Sequence, residues 1–186
     1  MKPSHFIYFS ITVILLFSFS CGDEPILPNP EEEITSLTYT LTPDGGGENA
    51  VFTFRDIDGE GGNPPVIVTD TLLAGTIYYG QIELLNESTI PVTDVSLEVQ
   101  EEAEDHQFFY DLTGFHAIIM YTDLDSLGYP IGLTTSFVTG GVGEGTMKII
   151  LRHLPDKTAS GVSIGNILNA GGETDIEVIF DPVVIQ

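Results

Sequence analysis

A chain of 186 residues with 28 Asp and Glu against 5 Lys and Arg carries a formal charge of −23. That balance excludes a nucleic-acid binder, which needs clustered cations facing phosphates, and opposes flat adsorption on an anionic bilayer, where basic residues supply the attraction. A single cysteine, Cys21, rules out a disulfide framework and cysteine-ligated zinc.

The first predicted element is an N-terminal signal over residues 1–20. Lys2 precedes a mainly apolar run over 6–19, and small Ser20 stands before Cys21. The run is too short to span a bilayer as a helix, which takes ~20 apolar residues, and it fits the apolar region of a cleaved secretory signal. A cysteine at the cleavage point resembles the bacterial lipoprotein signal, in which that residue is lipidated and becomes the new N-terminus. An ordinary signal peptide with an incidental cysteine is the alternative. Lipidation of Cys21 leaves the mature chain without a thiol, which excludes cysteine catalysis. Residues 21–33 then form a lipidated cysteine and stalk, which holds Pro25, Pro28 and Pro30 together with five acids. Such a composition buries little apolar area and favours an extended, semi-rigid form that spans roughly 35 Å at ~3.1 Å per residue.

Residues 34–186 suit one domain, large enough to bury ~70% of its unfolded surface without staples. Period-2 runs rich in Thr, Val, Ile and aromatics cover 34–42, 50–55, 66–69, 76–85, 107–112, 115–121, 133–138, 146–154 and 175–184. In the first run Leu37, Tyr39 and Leu41 share one face and Thr38, Thr40 and Thr42 the other. Pro43-Asp44-Gly45-Gly46-Gly47 reads as a hairpin-like turn to the second. These spacings predict an all-β fold: a single antiparallel β-sandwich, immunoglobulin-like or related, of seven to nine strands. One short helix is expected over 93–105, capped by Thr93, because Val95, Val99 and Ala103 recur every four residues. Val95, Leu97 and Val99 also alternate, so a strand competes there.

The layout resembles a group of flavobacterial, Bacteroidota-type envelope lipoproteins over most of the mature length. The resemblance is carried by the acidic stalk and by several motifs: Phe54-Arg55-Asp56-Ile57-Asp58-Gly59-Glu60-Gly61-Gly62, Glu83-Leu84-Leu85-Asn86-Glu87, Asp105-His106-Gln107-Phe108-Phe109, Leu151-Arg152-His153-Leu154-Pro155-Asp156-Lys157 and Asn169-Ala170-Gly171-Gly172-Glu173-Thr174-Asp175. Some members of that group bear the name of a type 1 periplasmic binding fold. This chain is too short for two α/β lobes and lacks repeated strand–helix patterns, which points away from that fold. The acids Asp23 and Glu24, close behind Cys21, resemble surface-export signals of such lipoproteins, which implies placement at the outer membrane, facing the periplasm or the outside.

Candidate sites are sparse. Asp56, Asp58 and Glu60 alternate ahead of glycines, as oxygen ligands of a curled calcium loop do, but position 12 of that loop is Ile67 and Pro64-Pro65 breaks it. An acidic hairpin loop is the competing reading. Asp123-Leu124-Asp125-Ser126-Leu127-Gly128 repeats the pattern more weakly and reads as a turn before Pro130. Three histidines lie beyond the signal: His106, His116 and His153. His153 shares a strand face with Met147, Ile149 and Leu151, and His106 follows four acids. Imidazole with carboxylate suits zinc or copper where a fold brings such segments together; ordinary hydrogen-bonded histidines are the plainer alternative. Lys148, Arg152 and Lys157 fall within ten residues and form the one candidate anion patch, unless they pair with the acids of 98–105.

No nucleophile elbow, phosphate loop or dinucleotide fingerprint occurs, and the absence of tryptophan weakens a sugar-platform reading. Asp70-Thr71-Leu72 and Asp125-Ser126-Leu127 resemble the short acceptor of Bacteroidota-type O-glycosylation. The sequence therefore predicts a non-enzymatic lipoprotein, anchored through Cys21, that serves as a binding or accessory module, in one form beside an outer-membrane uptake receptor. A calcium-stiffened structural or adhesive domain is the second expectation. A metal-capture lipoprotein or an unrecognised hydrolase is the third.

Overall fold

A computed structural model describes residues 33–59 and 61–186. The signal segment, Cys21, the stalk up to residue 32, and Glu60 lie outside the described residues. All of the described fold belongs to one unit, Glu31–Gln186.

The larger, seven-stranded sheet grows from β1 (Ser36–Pro43), which pairs antiparallel with β2 (Ala50–Arg55) and with β5 (Ile77–Asn86). Beyond β2 lies β3 (Val66–Val68). Beyond β5 lie β9 (Thr134–Thr139) and then β8 (Ala117–Tyr121), while β6 (Thr93–Asp94) pairs with the end of β5. The four-stranded sheet runs β4 (Thr71–Leu72), β11 (Glu173–Ile185), β10 (Gly143–His153) and β7 (His106–Thr113). All of its pairs are antiparallel except β4 with β11. The result is an all-β, sandwich-like fold with one short helix among the described residues. None of the described helices is long and apolar enough to cross a membrane.

The alternation in the sequence explains which face each strand buries. Leu37, Tyr39 and Leu41 are fully buried, whereas the intervening threonines are at least partly open to solvent. From the facing sheet, Met147, Ile149, Leu151, Val178 and Phe180 enter the same core. Phe52 and Phe180 meet edge-on across the layers with ring centroids 5.5 Å apart. Each such side chain contributes about 1.5–3 kcal/mol by leaving water. Tyr39 and Thr135 share a buried 2.6 Å hydrogen bond, and burial raises the Tyr39 phenol well above its usual range. Gly80 makes room for this pair, because a Cβ there would collide with both hydroxyl groups.

On the outer face of the smaller sheet, Phe109, Ile150, Val162 and Ala170 form a second apolar cluster. The segment that covers it contains two 3₁₀ turns, Val162–Ile164 and Ile167–Asn169. This lid of loop leaves the smaller sheet apolar on both faces near its β7 end.

The helix, α1 (Val95–Glu101), resolves the two competing periods: Val95 and Val99 are buried and Leu97 is exposed. Asp94, rather than Thr93, caps it by accepting the Ser96 N–H at 3.0 Å. Thr93 is instead a residue of β6. The helix stops at Glu101 and a turn of four residues leads directly into β7.

Candidate functional site

The end of the smaller sheet collects the chemistry. His106 opens β7 and His153 closes β10, and the antiparallel register sets them directly opposite each other. Directly opposite residues of a pair project to the same face. Their rings stack with centroids 4.8 Å apart and planes 13° from parallel.

Asp175 joins them through a break in register. Leu151 faces Ile176, but the next residue, Arg152, faces Thr174, so Asp175 is the extra residue of a bulge on β11. A regular strand would place Asp175 on the face of Glu177 and Ile179, which are exposed. Bulges re-aim side chains in this way. The Asp175 side chain is instead fully buried, with Oδ2 at 3.8 Å from His106 Nε2 and Oδ1 at 3.8 Å from His153 Nδ1. These separations are too long for direct hydrogen bonds.

Two further features hold the cluster. His106 Nδ1 lies 3.1 Å from the carbonyl oxygen of Glu102. A carbonyl only accepts, so Nδ1 carries the proton and, in the neutral ring, the Nε2 lone pair is turned toward Asp175. Gly172, at φ +67°, packs against the backbone carbonyl oxygens of His153 and Leu154 where any Cβ would clash. It thereby lets β11 start close beside His153. Leu154 itself sits at φ 51° and donates its N–H to the Asp105 carbonyl at 2.6 Å, a left-handed position uncommon for a bulky residue.

Side-chain exposures of 0%, 4% and 0% for His106, His153 and Asp175 seal the cluster from solvent. One atom from each of the three lies within 4.8 Å of the others, a spacing that a small bound ion or a single water could bridge. His153 Nε2 has no hydrogen-bond partner among the described residues. Two imidazoles and a carboxylate form a borderline donor set that suits first-row transition ions.

The other sequence-predicted residues do not join this cluster. Asp56 accepts the Gly59 N–H at 3.0 Å, and Asp58 accepts both the backbone and side-chain N–H of Asn63 at 3.0 and 2.7 Å. Those bonds from Asn63 hold the Asp58 carboxyl below its usual range. Both carboxylates thus close their own loop, and the third residue of the motif, Glu60, is not described. Asp125 likewise closes the turn before Pro130, accepting the N–H groups of Leu127 and Tyr129. His116 is exposed.

The expected anion patch separates into individual pairs. Lys148 meets Glu177 at 2.9 Å, and Arg152 donates to the Gly171 carbonyl at 3.1 Å and to the Thr174 hydroxyl. Lys157 is buried, bonding Asp125 at 2.9 Å and the Ala103 carbonyl at 2.5 Å. Arg55 makes a two-pronged contact with Glu87, and with Ser36 it holds the Glu87 carboxyl down to about 2. Comparison with protein families, with characterised proteins and with solved structures finds no match for this chain.

Proposed function

We propose that this chain is a non-enzymatic binding module of the cell envelope, anchored through lipid on Cys21 and held off the membrane by residues 22–33. One observation supports binding over catalysis: the strongest concentration of chemically capable side chains, His106, His153 and Asp175, is closed to solvent. A general acid or base must come within hydrogen-bond reach of its substrate. A sealed triad can hold an ion or a water but cannot meet an organic substrate. Outer-membrane placement and service to an uptake receptor follow from the resemblance to Bacteroidota-type lipoproteins and belong to this reading.

The anchor is tested by fractionation. Cys21→Ser is expected to move the protein from the membrane fraction to the soluble one, because two acyl chains give stable attachment where one is marginal. Mass spectrometry of the native protein should show an acylated N-terminal Cys21. An unmodified N-terminus, or membrane retention of Cys21→Ser, overturns the reading. Crosslinking in intact cells tests the accessory role: a specific receptor should co-purify, and recovery of the lipoprotein alone at native expression contradicts it.

A further inference from the structure

We infer that His106, His153 and Asp175 are the protein ligands of a buried divalent transition-metal site, with zinc or copper(II) as its occupant class. Four observations carry the inference. Three donors from three different strands converge, although 22 and 69 residues separate Asp175 from the two histidines. A bulge turns Asp175 inward against the alternation of its own strand. The Glu102 carbonyl fixes the His106 tautomer that exposes Nε2 to Asp175, the usual outer-shell arrangement for a ligating histidine. The His153 ring, with only 4% of its side chain exposed, turns Nδ1 toward Asp175 Oδ1 at 3.8 Å.

The surroundings favour a cation. Glu101, Glu102, Glu104 and Asp105 line a surface cleft on the turn that leads into His106. Acidic clefts raise the local concentration of cations and speed their arrival. The donor set lacks sulfur and has two nitrogens, which selects against calcium and magnesium and for the borderline ions.

The distances state what binding requires. Ligands around tetrahedral zinc stand about 3.4 Å apart when each bond is ~2.0–2.1 Å. Each histidine stands 3.8 Å from a different oxygen of Asp175, and one donor atom from each residue lies within 4.8 Å of the others, so the side chains must close by well under 2 Å. A water molecule, with bonds of ~2.8 Å, fits the wider spacing without any closure. It is the occupant that the experiment must exclude.

The inference rests on reading the domain as a binding module, yet its test is separate from that of the anchor. Zinc and copper(II) salts are titrated into the purified full chain by calorimetry. One ion per chain is expected, with Asp175→Asn and His153→Asn each weakening binding at least ~100-fold, more than the 10–100-fold of outer-shell changes. Glu177→Gln and Asp58→Asn should leave the affinity unchanged. Cobalt(II) added to the wild-type chain keeps the test decisive if a variant fails to fold: displacement of a visible ligand-field band by zinc is expected. Absence of any stoichiometric ion, absence of the cobalt band, or equal affinity in the variants overturns the site and leaves the membrane anchor untouched.

Discussion

Replacing Lys157 by Met is expected to lower stability by about 3–5 kcal/mol at neutral pH, the range for breaking a buried ion pair on one side. Lys157 and Asp125 have side-chain exposures of only 5% and 1%, and their contact is 2.9 Å. Burial pushes the Asp125 carboxyl up. The Lys157 ammonium and the N–H groups of Tyr129 and Leu127 more than reverse this, so the carboxyl sits below its usual range. A carboxylate depressed in this way stabilises the fold above its unfolded value, ~3.9, and that contribution disappears as pH falls through the lowered folded value. In Lys157→Met the buried charge has lost its partner, so the penalty should shrink in acid as Asp125 takes up a proton. Adding Asp125→Asn should recover part of the loss at pH 7, since it removes the uncompensated charge. Urea melts of both variants at pH 7 and pH 3 measure this. A neutral-pH loss under about 1 kcal/mol would place the pair among exposed contacts, whose usual worth is small.

Phe180→Ala should cost about 3–5 kcal/mol, as for other buried aromatic truncations. Phe180 is fully buried on β11 and meets Phe52 of the opposite sheet edge-on. The variant therefore loses transfer energy, opens a cavity between the layers and forfeits an aromatic pair worth about 0.5–1.5 kcal/mol. A protein of this length should melt roughly 10 °C lower. A loss below about 1 kcal/mol would mean that the two sheets do not close over Phe180.

Nine strands were legible because a half-buried strand writes its burial into the sequence every second residue. Leu37, Tyr39 and Leu41 against Thr38, Thr40 and Thr42 show it most plainly. Two strands, Thr71–Leu72 and Thr93–Asp94, are too short to display any period. The helix was ambiguous because Val95, Leu97 and Val99 satisfy alternation as well as Val95 and Val99 satisfy helical spacing. The exposed Leu97 decides it. Sequence does not single out Asp94 as the cap, because it stands next to an equally plausible Thr93.

The site was only partly readable. His153 announced its burial by sharing a face with Met147, Ile149 and Leu151. Its pairing with His106 depends on the β7–β10 register, which no local pattern specifies. Asp175 was hidden for a definite reason. Period-2 reading of Asp175, Glu177 and Ile179 assigns all three to the outer face, and only the bulge reverses the first. The one hint upstream was Gly171-Gly172, where two positive-φ glycines bring β11 tightly against the end of β10. Lys157 misled in the opposite direction, since a lysine near other cations reads as surface until Asp125 is found beneath it.

Crystals of the full chain grown with zinc, measured on both sides of the zinc absorption edge, test the sealed centre most directly. The account predicts one anomalous peak per chain, bonded at ~2.0–2.2 Å to an imidazole nitrogen of His106, an imidazole nitrogen of His153 and a carboxylate oxygen of Asp175. Zinc found only on surface carboxylates, with an ordered water between these three side chains, would contradict it.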